Sequence, residues 1–227
     1  TSLFGHILGS NPQICGYYEM HIGYHSWKSL VRQKLLYFRD DPVKPGSRFM
    51  FDKVLHNDHD TALKVLDMRR CQVIFALREP QVVIPSILKL YAEVDPGHEF
   101  NSQGFATNYY IERLEELGRL AAGMQRPYFY LDAESLQQDT DRCLPRLGDW
   151  LGLAQPLSAQ YELQRNSLRK RLGDSSDRMR AGEIIREKSD YGSFAADPEG
   201  LARATATYQR VRTALIAGCD ASSLLGN

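Results

Sequence analysis

The sequence has no apolar run of about 18 residues, which a membrane-spanning helix would need, and no apolar stretch typical of an export signal. It also has no net charge, because 28 basic residues balance 28 acidic ones. Proteins that bind nucleic acids or anionic membranes usually carry an excess of positive charge. We therefore expect no nucleic-acid partner and no transmembrane segment, and any anion-binding site must be local.

Cysteine is scarce and widely spaced, with no Cys-x-x-Cys pair among Cys15, Cys71, Cys143 and Cys219. This spacing argues against a zinc ribbon, a redox dithiol and a disulfide scaffold, and it favours a reducing cytoplasmic location. His21 and His25 lie four residues apart, but the sequence suggests no third ligand. We therefore expect no metal site.

The 227 residues, 43% of them hydrophobic, are enough for one full core. No repeat or linker interrupts them, so we expect a single domain over residues 1–227. Strand patterns alternate with helix patterns, which predicts a three-layer α/β/α fold with a central parallel sheet. The expected strands are 14–18, 48–53, 73–77 and 128–131. The main expected helices are 3–8, 26–39, 58–70, a helix after Pro80, 101–124, 143–151 and 201–217.

The apolar strand 73–77 runs directly into Arg78-x-Pro80, and a serine, Ser86, follows eight residues after the arginine. Ligands of open α/β sheets bind at the carboxyl ends of the strands, and a guanidinium there suits a phosphate. Pro80 fits the first turn of a helix. The pattern predicts an anion-binding site, although an arginine paired with a nearby carboxylate would explain Arg78 alone.

Thr1 and Ser2 open an amphipathic helix, where backbone N–H groups, hydroxyls and the helix dipole favour an anion. Ordinary helix capping would explain these two residues equally well. Together with the Arg78 motif, however, they resemble the PAPS-dependent sulfotransferases of the bacterial-type branch. These enzymes bind 3'-phosphoadenosine 5'-phosphosulfate (PAPS) through a Pro-Lys/Arg-Ser-Gly-Thr-Thr loop and an Arg-x-Pro motif with a later serine.

The resemblance implies a P-loop-NTPase-like sulfotransferase fold and covers nearly the whole chain, since residues 128–136 and 147–153 are also similar to family segments. It implies that Arg78 and Ser86 bind the 3'-phosphate. Thr1, Ser2 and Leu3 match only the tail of the 5'-phosphosulfate loop. The rest of that loop and the first strand of the sheet are expected before Thr1.

Sulfonate transfer is an in-line displacement that needs a cation near the transferred group and a base for the acceptor proton. Lys53, at the end of strand 48–53, matches the family lysine. The family histidine position is Leu55 here, so the base is open: Glu19 ranks first, His21 second and His56 third. The aromatic residues near the candidate base have two possible roles, to line an acceptor pocket or to form part of the core. They are Tyr17, Tyr18, Tyr24 and Trp27.

The irregular basic segment 165–191 resembles the family loop that closes over the nucleotide. The resemblance implies that Arg178, Arg180 and Gly182 bind the cofactor, whereas a solvated charged loop is the plain alternative.

The implied activity is transfer of a sulfonate from PAPS to a hydroxyl or amine, with release of PAP and without a metal. The acceptor is a small molecule, lipid, glycan or carrier-bound chain. A P-loop kinase or nucleotide hydrolase is an alternative, but no Gly-x4-Gly-Lys-Ser/Thr motif is present. A second alternative is a non-catalytic nucleotide-binding or interaction module.

Overall fold

The computed structural model describes residues 2–163, 181–186, 191–192, 194 and 196–224. Strands and helices alternate over these residues, which confirms the expected α/β class. The strands are β1 (Ile14–Cys15), β2 (Phe49–Met50), β3 (Ile74–Leu77), β4 (Phe129–Asp132) and β5 (Ala221–Ser222). The helices are α1 (Ser2–Ser10), α2 (Trp27–Asp40), α3 (Leu63–Leu66), α4 (Pro80–Val94), α5 (Gln103–Gly123), α6 (Ser135–Gln138), α7 (Thr140–Leu151) and α8 (Pro198–Gly218), with a 3₁₀ turn at Glu99–Asn101. None of the described helices is long and apolar enough to cross a bilayer.

The described strands form two small parallel sheets instead of the single expected one. In the first, β1 pairs with β2, and Ile14 lies opposite Phe49. In the second, the order is β3-β4-β5, with Ile74 opposite Phe129. All four β4 residues are buried, as expected for a central strand.

Three predicted elements are clearly shorter than expected. The strand predicted at 48–53 is reduced to Phe49–Met50, so Lys53 lies three residues beyond its end and not at the end. The other two are shorter for local reasons. The strand predicted at 14–18 ends at Cys15 because Gly16 adopts a left-handed φ of 90°, and a Cβ there would lie 2.2 Å from the Phe51 carbonyl oxygen. The helix predicted at 58–70 shrinks to α3. The first residues of the predicted helix pair with the backbone of Tyr24 instead. Tyr24 N–H donates to Asp60 O, and Ala62 N–H donates to Tyr24 O, both at 2.8 Å.

Other predicted helices are present with small shifts of their ends. α2 begins as expected after Ser26, whose hydroxyl accepts a hydrogen bond from Lys28 N–H. The short elements α6 and β5 have too few residues to leave a periodic pattern, and the sequence did not reveal them.

Helices cover both faces of β4. Phe129 and Leu131 pack in a cluster with α1 and α7, whereas Tyr128 and Tyr130 pack with α4, α5 and α8. The α1 cluster also includes Ile14, Phe49 and Ile74, so it joins side chains of both sheets.

α1 packs closely against the chain that leaves β1. A Cβ on Gly5 would lie 2.3 Å from Tyr17 O, and a Cβ on Gly9 would lie 3.0 Å from Gly16 O. α1 therefore runs opposite to β1, and its amino terminus lies near the carboxyl ends of β1 and β2. The edge-on contact of Phe4 with Phe51, whose ring centroids are 5.9 Å apart, fixes this arrangement.

Candidate active site

The loops that follow β1 and β2 bring the predicted catalytic residues together. The Glu19 side chain is only 8% exposed, and its Oε1 accepts a hydrogen bond from Leu55 N–H at 3.2 Å. His21 Nδ1 and His56 Nε2 each lie 4.0 Å from Glu19 Oε2. Glu19 thus has a fixed position beside both of the other candidate bases.

Lys53 is buried, yet its ammonium forms no ion pair with any described residue. Burial lowers its pKa, while the nearby carboxylates of Glu19 and Asp52 act in the opposite direction. A buried cation without a bound counter-ion is costly unless a ligand neutralises it. Lys53 is therefore suited to contact an anionic group.

Asp52, which the sequence did not single out, holds the two loops together. Its carboxylate accepts hydrogen bonds from Met20 N–H at 2.9 Å and Lys53 N–H at 2.8 Å, and a further one from the Tyr24 hydroxyl. Burial raises the pKa of Asp52 from 3.8 to about 6, although these hydrogen bonds lower it. Asp52 fixes the chain on either side of the candidate base and cation.

Arg78 lies at the carboxyl end of β3 with its side chain 37% exposed. Its Nε is 3.9 Å from Glu134 Oε1, and the same oxygen accepts a hydrogen bond from Glu79 N–H at 3.3 Å. The predicted pairing with a carboxylate is thus present, but it is a long contact that leaves donors of the guanidinium for a ligand. Ser86 lies half-buried on α4, the helix that starts at Pro80.

α5 links these two parts of the site through neighbouring residues. The Tyr109 hydroxyl is hydrogen-bonded to His56 Nδ1 at 2.5 Å, while the Tyr110 hydroxyl donates to Arg78 O at 2.7 Å. One turn later, Arg113 donates to the Asn57 side-chain oxygen at 2.8 Å. The structure therefore places the loop of Lys53 and the end of β3 against one helix.

The remaining predicted cofactor residues differ in their placement. Ser2 and Leu3 open α1, whose Phe4 contacts Phe51, so they lie at the same edge as Lys53. Gly182 lies beside Tyr161, from whose N–H it accepts a hydrogen bond at 2.8 Å, and no described contact joins it to β3. Thr1, Arg178 and Arg180 are outside the described residues.

The aromatic residues near Glu19 divide into two groups. Tyr17, Tyr18 and Tyr24 are buried in the core, whereas Trp27 is 60% exposed at the start of α2. Two shallow surface depressions of the described residues lie elsewhere, one beside Leu88 and Phe194 and the other beside Gln155.

No protein-family model, no curated protein and no solved structure matches this chain. The function of the site is therefore inferred from its own residues and contacts.

Proposed function

We propose that this protein is a sulfotransferase of the P-loop-NTPase-like fold, which moves a sulfonate group from PAPS to an acceptor hydroxyl or amine and releases PAP. The observation that carries this proposal is the buried Lys53 ammonium, which has no ion-pair partner among the described residues and lies beside the Glu19 carboxylate. A cation next to a potential base is what in-line transfer of an anionic group requires.

Each candidate residue has one role in the proposed reaction. Arg78 and Ser86 hold the 3'-phosphate, while the start of α1 at Ser2 and Leu3 offers N–H groups to the 5'-phosphate. Lys53 neutralises the charge that develops on the phosphate oxygen as its bond to sulfur breaks. Glu19 accepts the proton of the acceptor as the new oxygen–sulfur bond forms, and then returns it to solvent.

The test is calorimetric titration of the full chain with PAP. Arg78→Ala is expected to weaken PAP binding about 10- to 100-fold, because it removes charge-assisted hydrogen bonds, and Ser86→Ala is expected to have a smaller effect. Arg142→Ala is the matched control, since Arg142 is exposed on α7 and contacts only Asp139 among the described carboxylates.

Unchanged PAP binding by both Arg78→Ala and Ser86→Ala would refute the assignment. Magnesium-dependent ATP turnover without PAP binding would instead indicate a kinase or nucleotide hydrolase. PAP binding without transfer from PAPS to any hydroxyl or amine would indicate a non-catalytic binding module.

A further inference from the structure

Glu19, His21 and His59 form a cluster of metal-ligating groups. Each offers one ligand atom, and these atoms all lie within 4.8 Å of one another. His59 Nε2 is 3.4 Å from His21 Nδ1, which is 4.0 Å from Glu19 Oε2. His59 is 38 residues from His21 along the chain, which is why the sequence suggested no third ligand.

The spacing of these atoms fits a tetrahedral zinc ion. Zinc binds nitrogen and carboxylate oxygen at about 2.0–2.2 Å, so neighbouring ligand atoms lie roughly 3.3–3.5 Å apart. The distance between the two histidine nitrogens already has this value, and small side-chain rotations would bring the carboxylate to it. Two imidazoles and one carboxylate favour Zn²⁺ over Mg²⁺ or Ca²⁺, which prefer oxygen ligands alone.

The surroundings hold these ligands in position. His21 is the only described residue other than glycine with a positive φ, 51°, a conformation that persists only where the surrounding structure fixes it. His56 Nε2 also lies 4.0 Å from Glu19 Oε2, while its Nδ1 is hydrogen-bonded to the Tyr109 hydroxyl. His56, which Tyr109 on α5 holds in place, therefore lies beside the Glu19 ligand.

We propose that Glu19, His21 and His59 bind one Zn²⁺, with the fourth position taken by water. The inference rests on ligand geometry and does not require the proposed function, although the two share Glu19. If both hold, zinc on the Glu19 carboxylate removes the base and inhibits sulfonate transfer.

The test is titration of untagged, chelator-treated full chain with ZnCl₂. We expect one saturable site, which His59→Ala and His21→Asn each weaken by at least about tenfold. Asparagine is chosen at position 21 because it tolerates the left-handed backbone. His25→Ala is the matched control, because His25 is exposed and pairs with Asp60 outside the cluster.

Absence of zinc binding, or equal losses in His25→Ala and His59→Ala, would overturn the site. Titration of wild-type protein with Co²⁺ gives a second measurement that does not depend on any variant folding. Visible bands of a nitrogen- and oxygen-ligated ion are expected, whereas a sulfur-to-cobalt charge-transfer band would place the ion on a cysteine. PAP titration of the zinc-free His59→Ala variant separates this result from the proposed function, since its PAP affinity should stay unchanged.

Discussion

The Tyr110 hydroxyl donates a hydrogen bond to the carbonyl oxygen of Arg78, 2.7 Å away, and so fixes the backbone at the end of β3 against α5. Tyr110 itself is only 5% exposed, and the bond is partly buried. In the proposed enzyme, this contact sets the position from which the Arg78 side chain reaches the 3'-phosphate.

We expect Tyr110→Phe to weaken PAP binding several-fold and to lower the free energy of unfolding by about 1 kcal/mol, the usual net value of such a hydrogen bond. Calorimetry and urea unfolding measure the two effects. Tyr128→Phe is the matched control, because Tyr128 is a similarly buried residue whose hydroxyl donates to Leu215 O at 3.0 Å, away from Arg78. A similar loss of PAP affinity in both variants would show that Tyr110 has no specific effect on Arg78.

Glu19→Gln should lower the rate of sulfonate transfer by roughly 100-fold or more. The amide oxygen can still accept the hydrogen bond from Leu55 N–H, but the amide cannot take up the proton of the substrate hydroxyl or amine. PAP affinity should stay unchanged, since the variant leaves Arg78 and Ser86 intact. Single-turnover measurement of transfer from PAPS tests this. If His56→Gln lowers the rate more than Glu19→Gln does, His56 is the base.

Asp52 gives the protein a pH-dependent stability with a defined sign. In the folded protein its pKa is raised from the ordinary value of 3.8 to about 6. Between these two pH values the folded protein therefore binds more protons than the unfolded chain does. Its contribution to stability is present at low pH and is lost as pH rises through about 6. Relative to wild type, Asp52→Asn should therefore gain about 2–3 kcal/mol of unfolding free energy between about pH 4 and pH 7.

Urea unfolding of both proteins at several pH values measures this difference in unfolding free energy. A difference that is the same at every pH would contradict the prediction. Tyr24→Phe supplies a second check. It removes a hydrogen bond that lowers the pKa of Asp52, so the transition should move to higher pH.

Arg212 on α8 donates two hydrogen bonds to the buried Asp132 at the end of β4, from Nε to Oδ1 at 3.0 Å and from Nη2 to Oδ2 at 2.6 Å. Arg212→Met should cost about 3 kcal/mol, because it leaves a buried carboxylate without its cation. Arg210→Met on the same helix is the matched control. Its partner Glu115 is exposed, so the cost should stay below about 1 kcal/mol.

Urea unfolding of the two variants tests the comparison. Adding Asp132→Asn to Arg212→Met should recover part of the loss, because the amide carries no charge that needs pairing. Equal stability of the Arg212→Met and Arg210→Met variants would contradict a structural role for the Arg212 contact.

The sequence predicted those parts of the site that depend on local pattern. β3 is apolar and ends at Arg78, and Pro80 begins a helix, so neighbouring residues alone define this element. Lys53 was identified as a candidate because the pattern predicted a strand at 48–53 that ends there, whereas β2 ends at Met50. The resemblance to a family supplied its role, which stays a prediction.

Asp52, Tyr109 and His59 were missed because their roles arise from contacts distant in the chain. Tyr109 meets His56 across 53 residues, and no periodicity along α5 signals that contact. The strand ends were overestimated for a related reason. Side chains such as Asp52 take up backbone N–H groups that a regular ladder would otherwise use, and a hydrophobic pattern does not reveal this competition.

Among the described strands, no backbone hydrogen-bond ladder connects β2 to β3. Side-chain packing and the hydrogen bonds of α5 join the chain after β2, which carries Lys53, to the end of β3, which leads into Arg78. Packed side chains permit small sliding movements that a continuous ladder resists. The relative position of Lys53 and Arg78 therefore depends on this packing and on the hydrogen bonds that α5 makes to His56 and to Arg78, and not on β-pairing.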